Sequence, residues 1–162
     1  MLSKKELKSL VEAEVAKLDW NFKVEVNYEI PESLIADLAK FVDLSAYKKE
    51  DIVPLGTTYA KESDGVDKVC FQIDGFVTLQ KRTFLPDEMM KDKISEFVRH
   101  EWRHMHQFMW LRRIGGSKLL EKVLADEINA PYGQGVLEND AMCYQVGNVQ
   151  DFEEVFAKYI AA

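Results

Sequence analysis

Residues 100–104 read His-Glu-Trp-Arg-His, two imidazoles four positions apart with a carboxylate between them. On a helix, residues four apart stand one above the other on one face. Both rings can then reach one divalent ion without distorting the backbone. The spacing is that of H-E-x-x-H, in which the histidines hold zinc and the glutamate takes the proton of a water held beside them. Metal-assisted hydrolysis is the chemistry such a constellation performs. The chain has three histidines in 162 residues, and two of them fall in this motif.

A catalytic zinc takes three protein ligands and leaves one position open. The downstream candidates for the third are His106, Asp126, Glu127, Glu138 and Asp140. His106 follows His104 by two residues, about 200° around the helix, so it points away from the metal. Glu138 is the expected ligand. It opens a predicted helix, far enough beyond His104 for the chain to turn through Pro131-Tyr132-Gly133-Gln134-Gly135 and return antiparallel. Ala141 would allow that helix a close approach. The competing role for Glu138 is an N-terminal acid complementing its helix dipole. Asp140 is the alternative ligand, and is equally suited to accept from a histidine N–H or to pair with Arg103.

These residues must be positioned by the surrounding elements. Ile94, Phe97, Val98, Glu101, His104, Met105, Phe108 and Leu111 form one stripe at helical spacing, ended by Gly115-Gly116. Glu101 and His104 therefore face the core, where a carboxylate and an imidazole are costly unless paired, hydrogen-bonded or bound to metal. Upstream, Ser3 and Glu6 form a capping box for a first helix. Residues 22–30 alternate as a half-buried strand ended by Pro31, and a second helix is expected near 32–42, followed by an irregular stretch over 43–56. Asp64-Gly65 and Asp74-Gly75 are hairpin signals, which predict three meander strands near 56–62, 67–73 and 76–82. Helices near 117–128, 136–147 and 151–161 follow, the last capped by Asp151. The expected fold is α+β: a small, mostly antiparallel sheet packed on the H-E-x-x-H helix, with further helices toward the C-terminus, in a single domain over residues 1–162.

Composition narrows the function classes. A net charge of −7 argues against binding a phosphate backbone. Cys70 and Cys143 have no metal-type spacing and form no disulfide framework, which fits a reducing compartment. The N-terminal residues carry charge with no apolar run behind them, which predicts neither a signal peptide nor a membrane span, and hence a cytoplasmic protein.

A sheet, then a helix bearing H-E-x-x-H, then a glutamate in an E-x-D-A context (Glu138 to Ala141) resembles the gluzincin zinc metallopeptidases. Within them the chain is most similar to small single-domain members from phages and mobile elements, akin to the ImmA/IrrE group. His100 to Gln107 and Tyr132 to Tyr144 carry the resemblance, about half the chain with the preceding hairpin. Met142 stands four residues after Glu138, where many gluzincins place an aspartate. The resemblance implies a zincin-like fold, one zinc per chain on His100, His104 and Glu138, and a peptide or protein substrate. Glu101 would act as general base. Tyr132 and Tyr144 flank Glu138 and can each pack against the active-site helix; of the two, Tyr132, in its Pro/Gly loop, is the better candidate to stabilise the oxyanion. Tyr144 is expected to pack. Substrate would add a strand along an exposed edge, for which the 67–82 hairpin is the candidate. The rival from another class is a non-catalytic, zinc-stabilised interaction module, in which Asp140 or Cys143 would fill the fourth position.

Overall fold

Ser3 starts the chain's first helix as predicted. Its hydroxyl accepts from the Glu6 N–H at 3.1 Å, and α1 then runs Lys4–Ala16 with Leu7 and Val11 fully buried. The computed structural model describes residues 1–38, 55–60, 65–131 and 133–161. Within them follow β1 (Lys23–Asn27), α2 (Glu32–Leu38), β2 (Gly56–Tyr59), β3 (Lys68–Gln72), α3 (Ile73–Thr83), α4 (Asp87–Asn129), α5 (Val136–Gln145), α6 (Phe152–Val155) and α7 (Ala157–Ile160). The α+β class holds. The irregular stretch expected at 43–56, the end of the predicted second helix and Asp64 lie wholly or largely outside the described residues.

The sheet differs from expectation. Its order is β1-β3-β2. β1 lies parallel to β3, Val24 opposite Val69, and β2 lies antiparallel to it, Thr58 opposite Val69. It is thus mixed, not mostly antiparallel. The third meander strand does not exist, because residues 76–82 belong to α3. Ile73, Phe76 and Gln80 recur at helical spacing, and all three are buried. Asp74 sits in the first turn of that helix, where a carboxylate complements the dipole, and it pairs with Lys4 at 2.7 Å. The β-prone Phe-Val-Thr run after Asp74-Gly75 is overridden by this helical burial pattern. With no 67–82 hairpin, β3 becomes the central strand and β2 an edge of the described sheet.

The predicted break at Gly115-Gly116 is present. Gly116 takes φ 70° inside α4, a left-handed conformation that glycine adopts freely. The segment before it supplies the core face: Met90, Ile94, Val98, Met105, Phe108 and Leu111 are buried together with Val69, Phe71, Phe76 and Phe156. On α6, the Asp151 side chain accepts from the Glu153 N–H, the cap expected there. Among the described residues, no helix is long and apolar enough to cross a membrane.

Candidate metal centre

The core face of α4 carries polar side chains in its middle. Glu101, Arg103, His104 and Gln107 are all buried, so each must find a partner inside the protein. Three of the expected site residues meet. His104 Nε2 lies 3.2 Å from His100 Nε2 and 2.7 Å from Glu138 Oε1, and His100 Nε2 lies 3.3 Å from Glu138 Oε2. α5 returns against α4 with Ala141 fully buried, the close approach its small side chain permits.

The other nitrogens of the two rings are taken. His104 Nδ1 lies 2.7 Å from Gln107 Oε1, and His100 Nδ1 lies 3.0 Å from Gln145 Oε1. In a neutral ring an Nδ1–H donating to an amide oxygen leaves the lone pair on Nε2. Both lone pairs then face one point, with a carboxylate as the third donor. Two atoms each about 2.05 Å from a tetrahedral zinc stand roughly 3.3 Å apart. The two Nε2 atoms, 3.2 Å apart, match that figure, and so does His100 Nε2 with the Oε2 of Glu138 at 3.3 Å; His104 meets the other oxygen, Oε1. That contact, 2.7 Å, is a hydrogen bond that the metal would displace. The donor set, two imidazoles and a carboxylate, fits zinc.

Electrostatics bind these residues even without the ion. Burial alone would lower the His104 pKa, but the facing Glu138 carboxylate outweighs it, with Glu101 and Gln107 adding, and holds it at about 9. Burial raises the Glu138 carboxyl, but the two histidines overcome that and hold it well below the carboxylate range. In the metal-free protein His104 is thus protonated at neutral pH, and a zinc ion bound there would have to expel that proton. Between pH 7 and about 9 the apparent zinc affinity should rise roughly tenfold per pH unit. Titration calorimetry in buffers of different ionisation heat should show about one proton released per zinc at pH 7. A flat affinity over that range would contradict the pairing. The raised pKa also stabilises the metal-free fold fully below about 6.5, a contribution lost as pH rises through about 9.

Glu101 takes a different place. Thr58 Oγ1 donates to Glu101 Oε2 at 2.6 Å, so the carboxylate is held against β2 beside the three converging donors. Gly56 permits this contact, since a Cβ there would stand 2.8 Å from Glu101 Cγ. His100, Glu101 and His104 each offer a ligand atom within 4.8 Å of one another.

The remaining candidates are used elsewhere. Asp140, only 1% exposed, receives Arg103 through both carboxylate oxygens, at 2.8 and 3.0 Å, and Gln107 Nε2 at 2.7 Å. It is the partner of Arg103, and touches His104 only by way of Gln107. Glu127 accepts the backbone N–H groups of Leu137 and Glu138, capping α5 from α4. Asp126 accepts from the Tyr159 hydroxyl. His106 meets Trp102 edge-on, ring centroids 4.1 Å apart, and burial followed by nearby Arg103 lowers its pKa. Tyr144 packs against Trp102 and the Arg103 guanidinium. Tyr132 lies outside the described residues. Cys143 follows Glu138 by five positions, about 140° around α5, and is a free thiol.

Sequence reasoning missed Thr58, Gln107 and Gln145. Gln107 left a signal, a glutamine one turn after His104 on the same core-facing stripe. Thr58 left none, because strand register alone brings it to Glu101.

Glu138 and Asp140 should separate cleanly by mutation. Glu138→Gln should weaken zinc by more than the roughly 10- to 100-fold expected of an outer partner, whereas Asp140→Asn should stay within that range. Asp140→Asn should instead lower stability by about 3 kcal/mol, because it strips the buried Arg103 of its counter-ion. Chelator competition and thermal melts measure the two effects, and the reverse order in chelator competition would make Asp140 the ligand. Compared with known proteins, the chain matches no family, no curated protein and no solved structure.

Proposed function

We propose that this chain is a zinc-dependent peptidase of the gluzincin kind, with His100, His104 and Glu138 holding the metal and Glu101 as general base. The observation that carries the reading is the placement of Glu101: a buried carboxylate beside three converging donors, held by the hydroxyl of an edge-strand residue. Zinc in such a site lowers the pKa of water and polarises a carbonyl. Glu101 takes the proton of the attacking water and delivers it to the leaving amine. Thr58 keeps the carboxylate directed for that transfer.

The register of β2 supports a peptide as substrate. Gln72 N–H donates to Leu55 O, so alternate pairs along the ladder, Thr57 with Cys70 and Tyr59 with Lys68, exchange hydrogen bonds across it. The main-chain groups of Gly56 and Thr58 are then directed away from β3. An extended segment adding to that edge would lie beside Glu101, with main-chain bonds giving affinity. Asp140 is engaged by Arg103 and Cys143 sits around the helix, so neither supports a closed, purely structural zinc.

The test is an unbiased peptide library with mass-spectrometric readout. Zinc-loaded protein should give discrete cleavage products that vanish on chelation and return with added zinc. Zinc-loaded protein that cleaves nothing in the library or in cell extract would favour the non-catalytic module.

A further inference from the structure

We propose that Gln107 is a positioning residue: it orients His104 towards the metal and locks the first turn of α5, which carries Glu138, to α4. Gln145 has the simpler task of accepting from His100. The proposal rests on the zinc reading above and assigns two residues to it that the motif does not include.

Gln107 is fully buried in the middle of α4. A buried amide is costly unless its polar atoms are bonded, so an apolar residue would serve packing alone better. Both its donors and its oxygen are engaged. The Nε2 group donates to Leu137 O at 3.0 Å and to Asp140 Oδ2 at 2.7 Å. Both amide protons are thereby committed, and the orientation of the amide is fixed by acceptors on α5. Oε1 is the atom left for His104 Nδ1, at 2.7 Å. The acceptors flank the third ligand in sequence, one residue before Glu138 and two after it. Arg103 grips Asp140 from one turn earlier on α4, and donates also to Gln150 O at 2.6 Å. One side chain thus reads where α5 sits and sets the ring that shares its metal with Glu138. Any slip of α5 along α4 would break the amide's bonds and rotate His104 together.

Gln145 differs in what holds it. Its oxygen meets His100 Nδ1 at 3.0 Å, and its backbone carbonyl accepts from Arg99. Here only an acceptor is required, so a carboxylate can replace the amide. At Gln107 an apolar side chain of equal length removes both the acceptor for His104 and the donors for α5.

Three proteins test this: wild type, Gln107→Met and Gln145→Glu. Zinc affinity is read by chelator competition, coordination by the visible spectrum of the cobalt(II)-loaded protein, and fold by circular dichroism. Gln107→Met is expected to stay folded, bind zinc roughly 10- to 100-fold more weakly and change the cobalt spectrum, as loss of a ligand's outer partner does. Gln145→Glu should hold zinc at least as tightly as wild type. A merely structural Gln107 would lower the melting temperature while leaving the cobalt spectrum and zinc affinity untouched, and that result overturns the proposal. Loss of about tenfold or more in affinity by Gln145→Glu overturns the acceptor-only role of Gln145. If Gln107→Met fails to fold, Gln107→Leu replaces it under the same criteria. Wild type that binds no zinc removes the zinc reading itself, an outcome distinct from a variant that matches wild type.

Discussion

Alanine at either His100 or His104 is expected to abolish tight zinc binding, whereas the unmodified chain should hold about one zinc per molecule. The two Nε2 atoms stand 3.2 Å apart and share Glu138 as the third donor. Removing one imidazole leaves two donors, too few to outcompete water around the ion. His104→Ala should be the more disruptive of the two for the metal-free fold. It strips Glu138 of its closest partner and leaves Gln107 Oε1, deep in the core, with nothing to accept from. His100 leaves behind only the oxygen of the half-buried Gln145, so His100→Ala should melt closer to wild type while losing the metal. Metal analysis after dialysis, paired with thermal melts, measures both effects. Full zinc retention in both variants would contradict the ligand assignment.

Glu101→Gln is expected to retain zinc and fold yet lose at least about 10²-fold in turnover, because an amide cannot accept the water's proton. The substitution is nearly isosteric, and the amide oxygen can still accept from Thr58. It also removes a charge from a residue only 8% exposed, but one that favours the His104 imidazolium, so stability should stay near that of wild type. The separation of metal binding from turnover is the informative feature. A ligand variant loses both, and a base variant loses one. The library assay above supplies the rates, and equal rates and products in wild type and Glu101→Gln would remove Glu101 from the proton transfer.

The candidate site was largely legible in the sequence, since its strongest signals are local. The H-E-x-x-H spacing and the helical stripe around it need only the 3.6-residue period, and the burial of Glu101 and His104 follows from that stripe. The Gly115-Gly116 break was equally local, a glycine whose positive φ interrupts α4. Position after the Pro/Gly turn, with Ala141 allowing a close approach, points to Glu138, and the structure brings it to the histidines while giving Asp140 to Arg103. What escaped was decided at long range. Asp74-Gly75 is a turn signal by propensity, yet burial of Ile73, Phe76 and Gln80 makes it the first turn of a helix. The parallel pairing of β1 with β3 depends on a crossover that no residue pattern announces. Thr58 reaches Glu101 across 43 positions, and Gln145 reaches His100 across 45. Such contacts are properties of packing between elements, and a single sequence carries no periodic trace of them.

The most direct test of the metal centre is a crystal structure of the zinc-loaded protein with anomalous data at the zinc edge. One zinc is expected between His100 Nε2, His104 Nε2 and the Glu138 carboxylate, with a non-protein fourth ligand and Glu101 beside it but unbonded. Zinc bound instead through Asp140, Cys143 or His106, or enclosed by four protein ligands, would contradict the assignment.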